Sequence, residues 1–181
     1  MTKPLRDLPI QARPGESAIA PVEIDGLPDE IEALGRRWQR KLEFHMTVIG
    51  AARIEELARE DPAVPDRVAR GLAGCSVGPI YVTQELRRVR HPDEPGFETI
   101  VVMVDCPALA EVYGELSAGL GKRLYPPPAH VTLYSTDPER GIGLNDDDQL
   151  RERAPALSEQ EQEDVRWAMR FDEVFGRSPQ H

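Results

Sequence analysis

The chain has 181 residues, 30% of them charged and 40% hydrophobic, and a net charge of −10. That length suffices for one sizeable domain. The acidic balance argues against coating long duplex nucleic acid, whose binders are basic because phosphate neutralisation dominates their affinity, but it leaves room for a small nucleotide or an RNA-end phosphate in a locally basic cleft.

Residues 1–20 are rich in Pro, Gly and polar side chains and read as a loose N-terminal arm. They have no apolar stretch of the kind a signal peptide needs. "APVEIDGLP" holds a short strand before a turn. "PDEIEALGRRWQRK" (28–41) reads as a helix, with acids in its first turn, bases in its last, and Ile31, Leu34 and Trp38 on one stripe. Leu42 to Ile49 is a strand. "AARIEELARE" and "VPDRVARGLAG" read as two helices, kept apart by Pro62 and Pro65. "PIYVTQELRRVRH" and "GFETIVVMVDC" read as an antiparallel pair joined by "HPDEPG". "PALAEVYGELSAGLG" is a helix with Leu109, Val112, Leu116 and Leu120 on one face. "AHVTLYST" is the last strand.

"DPERGIGLNDDDQ" reads as an acidic loop. Asp146, Asp147 and Asp148 lack the ligand spacing of a calcium loop and read as a solvated run. Ser158 and Glu161 then fit a capping box opening one helix that Gly176 stops, with Trp167, Phe171 and Val174 as a packing face on the domain or a partner. The expected division is an arm (1–20), a main domain (21–156) and a C-terminal helix and tail (157–181). No run of about 18 apolar residues exists, so no membrane span is expected. Cys75 and Cys106 are too few for a disulfide framework or a four-ligand zinc site, so a reducing cytoplasm is the simplest compartment. The oligomeric state is not legible.

Two of the four histidines share one context. Strand alternation places His45 and Thr47 on one face, with Met46 and Val48 on the other. In the later strand His130, Thr132 and Tyr134 share a face, with Val131 and Leu133 opposite. One such motif is unspecific; a satisfied structural histidine is its bland reading. The repetition points to chemistry. Near neutral pH one imidazole can take a proton while the other donates one. Threonine hydroxyls can donate to phosphate oxygens where negative charge builds. The scheme needs no metal and no cofactor. Two histidines alone are a poor metal site, and no Asp or Glu stands at i+2 or i+4 from either. His91, at a turn, and His181, at the terminus, read as surface residues.

With "HMTV" (His45 to Val48) and "HVTL" (His130 to Leu133), the chain resembles the 2H phosphoesterase superfamily over roughly residues 40–136. The resemblance implies an α+β fold in which antiparallel sheets of two pseudo-symmetric lobes meet at a central cleft, with helices outside. It implies a metal-independent phosphodiesterase acting on a small cyclic phosphate or an RNA-end phosphodiester. His45 and His130 would be the acid and base, in an order left open, and Thr47 and Thr132 would hold the phosphate. Tyr134, without an aromatic counterpart at Ile49, would stack a base. Arg88 and Arg90, together on one face with Arg87 opposite, are candidate substrate contacts, although a solvated or dipole-pairing role is the bland reading of each base, including Arg36, Arg37, Arg40 and Lys41. A catalytically silent module of the same fold, binding a nucleotide or a partner, is the alternative. An unrelated α+β protein is a further one.

Overall fold

The structure is a computed structural model that describes residues 3–176; His181 and the end of the C-terminal tail lie outside them. The fold is α+β. One network of antiparallel pairs joins eight strands. β1 (Arg6–Asp7) pairs with β2 (Ala18–Glu23), and β2 with β5 (Phe44–Ile49). The central strand β8 (His130–Ser135) has β5 along one half of one edge and β4 (Arg36–Arg40) along the other half; β3 (Glu30–Ala33) lies outside β4. On its opposite edge β8 pairs with β7 (Glu98–Asp105), which pairs with β6 (Tyr81–Arg90).

The two sheet faces differ. One carries Met46, Val48, Val102 and Val131 and packs under most of the helices. These are α1 (Ala51–Ala58), α2 (Val64–Leu72), α3 (Leu109–Leu120), α5 (Glu159–Ala168) and α6 (Phe171–Phe175). The other carries Val89 and Val101, and is partly covered by Ile142, Leu144 and Ala154 from the segment around α4 (Asp147–Arg153). His45 and His130 belong to this second face.

Three elements depart from the sequence reading. Residues 28–41 are a hairpin, not a helix. Ile31 pairs with Trp38 across β3 and β4, and Leu34 and Gly35 turn the chain with φ of 55° and 74°, the positive-φ pair of a type I′ turn. Ile31 with Ala33, and Arg36 with Trp38, each alternate with a two-residue period on either side of the turn, as readily as Ile31, Leu34 and Trp38 fit a helical stripe. The fully buried Trp38, its Nε1–H donating to the Ala33 carbonyl at 2.8 Å, decides in favour of the strand. The bases at the end of this segment therefore complete no helix dipole. The acidic loop contains α4, begun by the Asp146 carboxylate accepting from the Gln149 N–H. The single C-terminal helix is two, broken at Arg170, whose φ is 58°. The capping box of Ser158 and Glu161 is present. Phe171 is buried in the main core, whereas Trp167 is 87% exposed and lies outside the packing face.

The stretch read as an arm is tied to the domain. Besides β1, Leu5 bridges Ile80, Ile10 is buried, and the Ile10 N–H donates to the Cys75 carbonyl at 2.8 Å. Among the described residues no helix is long and apolar enough to cross a membrane.

Trp38 closes the core under the hairpin, so Trp38→Ala is expected to cost about 3–5 kcal/mol, the usual range for a buried aromatic. Urea unfolding measures it. A loss below about 1 kcal/mol would show that the hairpin contributes little to the core.

Candidate functional site

β5 and β8 are neighbours, in an antiparallel register that pairs Met46 with Val131. Stepping one residue either way sets His45 across from Thr132 and Thr47 across from His130. Side chains directly opposite on one face stand about 5 Å apart at Cβ. The two motifs thus form one compact square of two histidines and two threonines. The same face continues through Ile19 and Pro21 on β2, and Val101 and Met103 on β7.

Each motif is followed by a β-bulge at its fourth residue. On β5, Thr47 pairs with Ile19 but Ile49 with Ala18, leaving Val48 as the extra residue. On β8, Thr132 pairs with Val101 but Tyr134 with Ile100, leaving Leu133 extra. A bulge shifts the alternation by one, so the residue after it turns to the other face. Ile49 and Tyr134 are both buried in the helix-side core. The bulge carbonyls are satisfied: the Tyr113 hydroxyl on α3 donates to Val48 O at 2.7 Å, and the Lys41 N–H to Leu133 O at 2.9 Å.

The four motif side chains open into a cavity of about 280 Å³, completed by Ser17, the start of α1, and the loop Gly141–Asn145. A groove of about 650 Å³ lies on the other side of His45, along β2 and the turn between β4 and β5. A larger hollow of about 940 Å³ beside α5 and α6 contains neither histidine.

His130 is 8% exposed. Its Nδ1–H donates to the Pro128 carbonyl at 2.7 Å, because a carbonyl oxygen only accepts. That fixes the ring and leaves Nε2 as its free nitrogen. Burial pulls its pKa below the ordinary histidine value, partly opposed by the Pro128 carbonyl. His45 is also pulled down, first by burial, then by the Lys41 ammonium and by His130. Lys41 is itself buried, its Nζ donating to the Arg140 carbonyl at 2.8 Å, with its pKa lowered by burial against the pull of Asp137, Glu139 and Glu43. Lys41 thus fastens the loop that walls the cavity and electrostatically favours neutral His45. Neither His45, Thr47 nor Thr132 has a side-chain hydrogen bond to the described residues, so their polar atoms remain available for a ligand.

The structure brings together His45, Thr47, His130 and Thr132 and leaves the other expected site residues elsewhere. Tyr134 is 0% exposed and its hydroxyl donates to the Pro28 carbonyl at 2.9 Å; a ring so enclosed offers no face for a base. Arg88 and Arg90 share a face, with Arg87 opposite, as alternation predicts. That face is the helix side, where both arginines bind the buried Glu98 carboxylate and Arg36 joins them. Burial pushes the Glu98 carboxyl up, but the Arg88 and Arg36 guanidiniums overcome it and hold Glu98 below the usual carboxylate range. Arg87 is bound by Glu85 and the Ala154 carbonyl.

Sequence reasoning missed Ser17, Lys41 and the loop Gly141–Asn145 as parts of the site. No local signal marked them: a Cβ at Gly141 would meet nothing within 4 Å, so the glycines of "GIGLN" record no close backbone approach. Among the described residues no group of three or more His, Cys, Asp or Glu side chains is arranged to hold a metal. Comparison with known protein families, with curated proteins and with solved structures finds no match for the chain.

Both imidazoles are displaced in the direction that favours the neutral form. In the free protein each is expected to titrate below about 6.5 and to be neutral at pH 7. Lys41→Gln should raise the His45 value. Imidazole NMR titration measures both, and a His45 or His130 midpoint above 6.5 would contradict the burial seen here.

Proposed function

We propose that the cavity is the active site of a metal-independent phosphodiesterase of the 2H type, acting on a small cyclic phosphate or an RNA-end phosphodiester. The observation that carries the reading is the cross-strand square: each histidine stands beside the other motif's threonine, and all four line one small cavity. In the ring opening of a 2′,3′-cyclic phosphate, the neutral imidazole takes a proton from the attacking water as its oxygen bonds to phosphorus. The protonated imidazole gives its proton to the departing ribose oxygen as the P–O bond breaks. Atoms and charge balance, and both histidines finish with exchanged protonation states. Thr47 and Thr132 donate hydrogen bonds to the non-bridging oxygens, where negative charge grows in the transition state. The two-lobed architecture of the 2H superfamily belongs to the same proposal.

The cavity is sized for a phosphate and a ribose. A base or leaving group has room in the adjoining groove past His45, where Pro21, Ile24, Leu42 and Phe44 supply apolar surface. Glu23, Asp25 and Glu43 line that groove with Arg40 and Lys41. Arg40 is paired with Asp29 and the Lys41 ammonium with the Arg140 carbonyl, so the net acidic lining disfavours a second phosphate there. A small substrate fits this better than long RNA.

Turnover of a 2′,3′-cyclic mononucleotide in EDTA tests the reading. Wild type should be active with the chelator present. His45→Ala and His130→Ala should each lower the rate by about 10²–10⁴, the range for one general acid or base, while His91→Ala should not. Binding without turnover would favour the silent-module alternative. Activity that survives loss of both histidines would refute the proposal.

A further inference from the structure

We propose that Ser17 and the start of α1 complete an anion cradle selective for a singly charged phosphodiester over a doubly charged phosphomonoester. The inference rests on the phosphodiesterase reading and adds to it a further substrate-binding residue and a charge preference. Ser17, Ala51 and Ala52 line the same cavity as the four motif side chains. The Ser17 Oγ accepts the Ala51 N–H at 2.8 Å. That use of a lone pair leaves the hydroxyl proton free to donate. α1 spans eight residues. Of its first amides, Ala51 donates to Ser17 and Arg53 and Ile54 to the Gly50 carbonyl, which leaves the Ala52 N–H as the donor at the positive end of the helix dipole. A second, independent observation points to a ligand. His130 is more than nine-tenths buried, lines the cavity, and has an unpartnered Nε2.

The charge preference follows from what the cavity lacks. Among the described residues its lining includes three hydroxyls, two imidazoles, the Asn145 amide and backbone groups, but no Lys, Arg, Asp or Glu. Hydroxyls and amides can replace the water around one delocalised negative charge. At pH 8, where both imidazoles are neutral, a second charge enters without a cation to offset its desolvation. A phosphodiester carries one charge. A phosphomonoester has a second pKa near about 6 and approaches two at pH 8.

Calorimetric titration at pH 8 tests this on the intact protein. The probes are a dinucleoside monophosphate lacking the 2′-hydroxyl and the matching nucleoside 3′-monophosphate. The diester is expected to bind about tenfold or more tightly than the monoester. Ser17→Ala should weaken diester binding by about tenfold, as expected for a hydrogen bond to a charged group. Ser17→Thr, which keeps the hydroxyl, should restore it. Melting curves of both variants separate this effect from weakened capping of α1. Unchanged diester affinity in a folded Ser17→Ala protein would overturn the cradle, as would a monoester that binds as tightly as the diester. Selective diester binding that depends on Ser17, in a protein that turns over no cyclic nucleotide, would support the cradle and refute only the enzyme reading. Failure of wild type to bind either probe or to turn over substrate would overturn both.

Discussion

The pairing of β5 with β8 is the constraint on which the rest depends. Residues 85 positions apart in the chain become cross-strand neighbours because Met46 sits opposite Val131. Antiparallel pairing relates the two strands by a local two-fold, so two similar sequences, each His-x-Thr, meet as His against Thr and Thr against His. A one-residue slip would turn one motif into the core and bring its apolar residues to the cavity. The register is held from the core side, where Met46, Val48, Val131 and Leu133 are buried in the main hydrophobic core. The catalytic geometry proposed here is thus a by-product of hydrophobic packing on the opposite face.

The bulges at Val48 and Leu133 give the site its edges. Each stops the polar row after its threonine and sends the next side chain, Ile49 or Tyr134, back into the core. Each also leaves a carbonyl outside the ladder, and an unpaired buried carbonyl is costly. Tyr113 and the Lys41 backbone amide supply the missing donors. Lys41 does further service, since its ammonium crosses to the Arg140 carbonyl and holds the glycine-containing loop over the sheet. Arg36, Arg88 and Arg90 lie on the opposite side of the sheet, around Glu98 and Trp38, whereas Arg87, on the site side, is tied to Glu85 and the Ala154 carbonyl outside the cavity lining.

Much of this was legible in the sequence because strand alternation is a local rule. It places His45 with Thr47 and His130 with Thr132, and separates Arg87 from Arg88 and Arg90. The α+β class, α1 to α3, the β6–β7 pair and the Ser158 capping box were legible for similar reasons. Tyr134 was misplaced because a bulge depends on the partner strand and leaves no mark in its own residues. The β3–β4 hairpin was misread because Ile31, Leu34 and Trp38 fit a helical stripe, while Ile31 with Ala33 and Arg36 with Trp38 fit strand alternation on either side of a turn, and only the tertiary burial of Trp38 chooses between them. Ser17 and the loop Gly141–Asn145 reach the site through long-range docking that no local pattern encodes. Arg88 and Arg90 have the expected spacing, but their common face is set by where Glu98 lies across the β6–β7 ladder.

The central claim is that two adjacent histidines, one protonated and one neutral, carry the chemistry of this cavity. The dependence of kcat/KM on pH for a cyclic nucleotide tests it most directly. Two required protonation states give a bell-shaped curve. Because burial lowers both imidazoles, and Lys41 lowers His45 further, the maximum should fall on the acid side of about 6.5. A rate that rises with pH to a plateau, or one indifferent to pH between about 5 and 8, would contradict it.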